Sequence, residues 1–128
     1  MNAFTRAAFP LALVLLTGCS ESMQGPTMYH EVQVPPEFRA GRGWAYAPSD
    51  HERYLEAYER GWWGCIEAYG ADIDYESTDS DRIGVGWPAA VQGVRDGFDD
   101  CEARIRENIR RYGKERTQEH LMQIWDAK

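Results

Sequence analysis

The sequence lacks the short motifs that mark common catalytic and metal sites. It contains no G-x-S-x-G elbow, no H-E-x-x-H pair, no phosphate-binding glycine loop and no C-x-x-C. Its histidines lie far apart without metal-ligand spacing. The acidic stretch 72–81 does not follow the calcium-loop pattern, because Ser77 and Ile83 stand where glycine and glutamate are needed. We therefore expect no catalytic residue, no cofactor and no metal.

An excess of basic residues is also missing. The chain carries 21 acids against 14 bases, a formal net charge of −7. Such a protein is repelled by nucleic acid and by anionic lipid, so nucleic-acid binding is not expected. One basic run, residues 104–116, could meet anionic headgroups, but favourable charge at the end of a helix is the simpler explanation.

Only one long apolar run is present, from Ala7 to Leu16, and it follows Arg6. A membrane-spanning helix needs about 20 apolar residues, and this run is shorter. A weakly basic start, an apolar run and small residues after it are the layout of a secretory signal.

The end of this signal, "LTGC" at residues 16–19, resembles the lipobox of bacterial lipoproteins. The resemblance covers only about the first twenty residues. It implies that residues 1–18 are removed, that Cys19 is acylated as the first mature residue, and that the protein is anchored in the bacterial envelope. Ser20, rather than aspartate, implies the outer membrane, facing the periplasm. Removing residues 1–18 takes away one base and no acid, which leaves a net charge of about −8.

Residues 19–48 are rich in proline and glycine, which predicts an extended, acylated tether rather than packed structure. From residue 49 the pattern becomes helical. Ser49 can cap a first helix, Pro88 suits the first turn of a second, and a short third helix follows, for which a kinked continuation of the second is the alternative. The predicted helical domain is 49–128, with helices at about 49–69, 88–112 and 117–127.

Both long helices carry a stripe of small residues that ends in cysteine. Gly61 precedes Cys65 by four residues, and Gly93 and Gly97 precede Cys101 at the same spacing. Glycine in a helix costs roughly 1 kcal/mol relative to alanine, so a close helix–helix contact is the expected reason for it. In the oxidising periplasm Cys65 and Cys101 should form a structural disulfide.

The direction of the helix pair is open at this stage. An antiparallel pair would place Gly61 against Ile105 and Gly97 against Tyr69, so that each glycine receives a large side chain. A parallel pair would set glycine on glycine. We favour the antiparallel arrangement, which gives an all-α fold: a small disulfide-stapled antiparallel helical hairpin with a short third helix, after the tether.

Four aromatic residues lie off the main apolar faces: Trp44, Tyr46, Trp63 and Trp87. Exposed tryptophans are enriched at protein interfaces and can stack on sugars, so these four form a possible binding patch. The alternative is that the segment "GWAYAP" folds back and covers Trp63.

The expected function is that of a small lipid-anchored binding module of the envelope, of inhibitor, immunity or assembly type. Its partners would be the membrane, through the anchor, and an envelope protein. A glycan-binding or enzyme-accessory lipoprotein and a passive structural lipoprotein are the alternatives.

Overall fold

The computed structural model describes residues 24–39 and 48–128, and within these ranges the secondary structure is entirely helical. The α-helices are α1 (Pro36–Arg39), α2 (Asp50–Ala71), α3 (Pro88–Tyr112) and α4 (Lys114–Ala127), with a 3₁₀ turn at Asp79–Arg82. The all-α class, the disulfide and the short last helix were all predicted. No helix in these ranges is long and apolar enough to cross a membrane.

The helix ends follow local sequence signals. The Ser49 hydroxyl accepts a hydrogen bond from the Glu52 amide at 3.2 Å, which begins α2. Pro88 occupies the first turn of α3. Gly113, at φ +89°, separates α3 from α4, so the third helix is separate and begins three residues before the predicted start. The first long helix, α2, runs to Ala71, two residues beyond its predicted end at 69.

The two long helices, α2 and α3, run in the same direction. Near the start of α2, the Tyr54 hydroxyl donates to Asp96 at 2.6 Å. One helical turn later the Tyr58 hydroxyl donates to Asp100 at 2.7 Å. Farther on, Cys65 is bonded to Cys101, with Cα atoms 6.2 Å apart. The residue numbers of the contacting pairs rise together along α2 and α3. The two helices are therefore parallel, not antiparallel as predicted. The short α4 is antiparallel to α2, since Gln118 bonds to Gly70 and Trp125 contacts Trp63.

The glycines explain why a parallel pair is stable here. A Cβ on Gly97 would overlap the carbonyl oxygen of Tyr58 and lie 3.0 Å from the Trp62 amide nitrogen. A Cβ on Gly93 would lie 2.5 Å from the carbonyl oxygen of Tyr54, and Gly61 meets the backbone of α3 in the same way. The helices therefore touch backbone to backbone, a geometry that suits Cα–H···O contacts.

The predicted partners of the glycines are wrong for the same reason. Gly61 lies against Val94 and Phe98 rather than Ile105, and Gly97 lies against Tyr58 and Trp62 rather than Tyr69. In the predicted antiparallel pair, each glycine would contact a large side chain of the other helix. In the structure each glycine contacts the backbone of the other helix.

A parallel pair needs a connection that returns along its length. The 22-residue α2 is about 33 Å long, and the connection 72–87 covers that distance back to the start of α3. On its way it lies along α3, where Arg82 bonds to Glu102 at 2.8 Å. Gly84 lies so close to Val91 that a Cβ would be 2.6 Å from its Cα.

Residues 24–35, here called the strap, lie on the helix pair instead of forming part of a free tether. The Thr27 backbone exchanges hydrogen bonds with the side chain of Asn108 at 3.3 and 2.9 Å, near the end of α3. Met28 and Val34 are buried. The strap has apolar side chains to bury at spaced positions, so proline and glycine nearby do not prevent it from packing. The main core comprises Met28, Cys65, Ile66, Tyr69, Phe98, Cys101, Ile105 and Leu121.

Candidate binding groove

An open groove of about 430 Å³ lies between the strap and α2. One wall comes from the strap and the other from residues of α2 at helical spacing. Its volume is within the range of small-ligand sites, and most of its lining is apolar or aromatic. The lining residues are Met28, Tyr29, His30, Val32, Leu55, Tyr58, Glu59 and Trp62.

Stacked rings form the floor of the groove. Tyr54, Tyr58 and Trp62 recur every four residues along α2, which places them in one row on the same face. The rings of Tyr58 and Trp62 are 6.2 Å apart and nearly parallel. His30 of the strap stacks against both, at 6.4 Å from Tyr58 and 5.8 Å from Trp62. The row therefore holds strap and helix together.

Carboxylates of α3 fix the polar ends of these rings. Asp100 accepts from the Tyr58 hydroxyl and lies 3.3 Å from Nε2 of His30. Burial, and then the hydrogen bond to Asp100, raises the pKa of Tyr58 far above its ordinary value. The pKa of Tyr54 is raised by burial and by its hydrogen bond to Asp96. Both phenols thus stay protonated and act as donors, which fits positioning rather than proton abstraction.

A second polar network surrounds Glu102, which is only 5% exposed. Its carboxylate accepts hydrogen bonds from Tyr69 at 2.5 Å and from Arg82 and Arg106 at 2.8 Å each. Burial alone would raise the pKa of Glu102, but hydrogen bonds from Ser77 and Tyr69 and the two arginines hold that pKa below its ordinary value. Burial and the bond to Glu102 raise the pKa of Tyr69 to about 12. The network fastens the connection 72–87 to α3.

Glu102 should therefore make the fold sensitive to acid. A carboxyl whose pKa is lowered by folding stabilises the protein above its unfolded pKa of about 4.3, and this contribution is lost as the pH falls through the folded pKa. We expect Glu102→Gln to cost about 3 kcal/mol at pH 7, because it leaves buried donors without their carboxylate. Thermal melts between pH 7 and pH 3 should show a smaller acid-dependent loss for the variant than for the wild type.

Glu107→Gln is the matched control. Glu107 pairs with Arg110 on the surface of the same helix, and its side chain is 43% exposed. This change should leave the melting temperature nearly unaltered at pH 7. Equal losses from the two substitutions would show that the Glu102 network does not hold the connection.

Of the four aromatic residues of the predicted patch, the structure describes Trp63 and Trp87, and these two do not meet. Trp44 and Tyr46 lie outside the described residues. Trp63 is half-buried, with the Trp125 ring 6.2 Å away and Lys128 Nζ 4.8 Å above it. Trp87 is 61% exposed, and the Arg53 guanidinium lies 4.3 Å from its ring. Arg53 and Trp63 are ten residues apart on α2, about 15 Å along its axis, so Trp63 and Trp87 occupy separate surfaces.

The predicted helix-contact glycines and the predicted disulfide both lie where α2 meets α3. Gly61, Gly93 and Gly97 lie in the α2–α3 interface, and the disulfide Cys65–Cys101 is fully buried beside it. Cys19 lies outside the described residues. In the described part of the chain no group of three or more histidine, cysteine or acidic side chains could hold a metal ion.

Sequence reasoning missed the strap side of the groove. Met28 and His30 were assigned to the tether because of the prolines and glycines around them. The signal that could have identified them is the pair of apolar residues Val32 and Val34 at strand-like spacing beside Met28. No family model, no curated protein and no solved structure matches this chain.

Proposed function

We propose that the protein is a lipid-anchored binding module of the bacterial cell envelope, which captures a protein partner in the groove between the strap and α2. The observation that carries the proposal is the groove itself, an open apolar site walled by Leu55, Tyr58 and Trp62. The lipobox-like "LTGC" supports an anchor at Cys19. A buried disulfide supports an oxidising compartment, where such bonds persist.

The side chains that line the groove limit the kinds of partner that it can bind. Glu59 is the one carboxylate among its lining residues, and none of the lining residues is lysine or arginine. Apolar walls with a single acid favour a partner segment that presents apolar side chains next to a positive charge or a hydrogen-bond donor. Inhibitor, immunity and assembly roles all use such contacts. We propose no catalytic role.

Leu55→Glu tests the groove. Leu55 is 37% exposed, so glutamate there should fold normally but place a charge on the apolar wall and beside Glu59. We expect crosslinked envelopes from this variant to lose the proteins that co-purify with the wild type. Met122→Glu is the matched control, since Met122 is 52% exposed on α4 and lies outside the groove. Loss of the same proteins in both variants would contradict a groove-specific role.

Cys19→Ala tests the anchor in the same cells. Metabolic labelling with a fatty acid should mark the wild type and not the variant. Label that persists in the variant would mean that Cys19 is not the lipid site.

The exposed Trp87 favours a second candidate, a glycan-binding or enzyme-accessory lipoprotein. Its ring is backed by Arg53 and open to solvent, as a sugar-stacking surface requires. Retention on peptidoglycan that is abolished by Trp87→Ala and unaffected by Leu55→Glu would favour this candidate over the groove.

A further inference from the structure

Basic residues are concentrated in one segment of an otherwise acidic chain. The segment 104–116 spans the end of α3 and the start of α4 and is called the basic end below. It carries six bases and two acids, whereas the chain from residue 19 onward has a net charge of about −8. The bases are Arg104, Arg106, Arg110, Arg111, Lys114 and Arg116.

Helix stability accounts for only some of these charges. Arg110 and Arg111 lie in the last turn of α3, where cations are favourable. Lys114 and Arg116 lie in the first turn of α4, where cations are unfavourable. Lys114 is paired with Asp74 at 2.5 Å. Arg116 has no ion pair among the described residues, so neither the helix dipole nor a salt bridge explains it.

Two arginines frame an aromatic ring at this end. Arg111 and Arg116 lie 5.6 and 5.3 Å from the centre of the Tyr112 ring, on two different helices. Both are exposed, and neither has an ion pair in the described ranges. Exposed arginines beside a tyrosine match the chemistry of a lipid headgroup layer, where phosphates meet amphipathic rings.

The strap begins at the same end. Thr27 is bonded to Asn108, and a Cβ on Gly25 would lie 3.5 Å from Arg116. Cys19 precedes Gln24 by five residues, a length of chain that spans at most about 17 Å. An acyl group on Cys19 would therefore hold the basic end close to the bilayer.

We infer that the basic end docks on anionic phospholipid headgroups and orients the body upright, with the groove directed away from the membrane. The inference rests on the proposed anchor at Cys19. Asp74 and Glu76 of the connection also lie at this end, near Lys114 and Arg106. Acids outnumber bases over the rest of the body, which the same surface repels, so attraction and repulsion favour one orientation. Of the groove-lining residues, Met28 lies beside Asn108, and His30 contacts Asp100, which is about 12 Å farther along the axis of α3.

Energy transfer to lipid dyes tests this orientation. A protein that begins at Cys19 is coupled through the Cys19 thiol to a maleimide lipid in vesicles. It contains all the residues that the structure describes. Anchoring is then chemical and independent of acylation in the cell. A donor dye is attached through an azide-bearing amino acid at position 115 or position 52, which differ in height by about 30 Å in an upright body. The acceptor is a headgroup-labelled lipid.

In vesicles containing phosphatidylglycerol, transfer from position 115 should exceed transfer from position 52. The excess should shrink in pure phosphatidylcholine and in about 1 M salt, where the Debye length is about 3 Å. Arg111→Glu with Arg116→Glu should reduce the excess to its phosphatidylcholine value. Arg60→Glu with Arg95→Glu is the control, because it makes the same charge change at exposed sites away from the basic end and should retain the excess.

Equal transfer in anionic and neutral vesicles would overturn the inference, as would an equal effect of the two double variants. Circular dichroism should show wild-type helix content for each variant. A change in energy transfer then reports a change in orientation rather than a loss of folding. Failure of acylation in cells would refute the anchor without altering this result, since the vesicle experiment supplies the lipid.

Discussion

Gly97→Ala should destabilise the protein by about 3 kcal/mol or more, because a methyl group at this position has no space. It would overlap the Tyr58 carbonyl oxygen and lie 2.9 Å from the Tyr58 carbonyl carbon. These are backbone atoms inside a helix, so they cannot move aside as a flexible side chain can. The helices cannot simply separate either, since Cys101, one turn further on, ties α3 to α2. Denaturant titration of the oxidised protein measures the change.

Gly64→Ala is the matched control for Gly97→Ala. Gly64 also lies inside a long helix, but it is exposed and a Cβ there would meet nothing within 4 Å. Alanine should raise stability at this site by about 0.5–1 kcal/mol through helix propensity alone. A Gly97→Ala protein as stable as the wild type would show that the backbones of α2 and α3 do not touch at this level.

Removing the disulfide should have an effect of similar size. Cys65 and Cys101 are 36 residues apart in sequence, and closing a loop of that length stabilises the native state by about 4 kcal/mol in the chain-entropy model. The enclosed loop contains the whole connection 72–87, which has few other constraints in the unfolded chain. We expect Cys65→Ala with Cys101→Ala to lower the free energy of unfolding by that amount, which urea titration measures.

The same bond should resist reductant in the folded protein. Both cysteines are fully buried, so a thiolate can reach the sulfur atoms only after the helices open. Mass measurement after alkylation, with and without denaturant, should find free thiols only when denaturant accompanies the reductant. Two free thiols in protein isolated without reductant would contradict a structural role for the pair.

Local features of this fold were predictable because their causes are local. Ser49 and Pro88 start helices through their own side chains, and the spacing of Gly61 to Cys65 and of Gly97 to Cys101 marks the contact stripe. The direction of the helix pair was not predictable from the stripe. One disulfide fixes a point of contact, and both directions satisfy it.

A further signal in the sequence could have decided the direction. The connection 72–87 is much longer than antiparallel neighbours need, since short loops are typical of antiparallel helices. It has the length required to return along a helix of 22 residues. The composition of the strap led to the prediction of an extended tether, whereas the strap packs on the helices. Prolines at positions 26 and 35 disfavour helix within it, but they do not prevent Met28 and Val34 from being buried.

The hydrogen bonds between Thr27 and Asn108 join residues 81 positions apart. The chain is synthesised from its amino terminus, so the strap exists long before the helix that receives it. Since His30 and Tyr58 both contact Asp100 of α3, the groove is complete only when α3 has packed against α2 and the strap. A chain cut short before residue 108 would carry the first long helix and its stacked rings, yet it would lack the residue that fixes the start of the strap, so one wall of the groove would not be held in place.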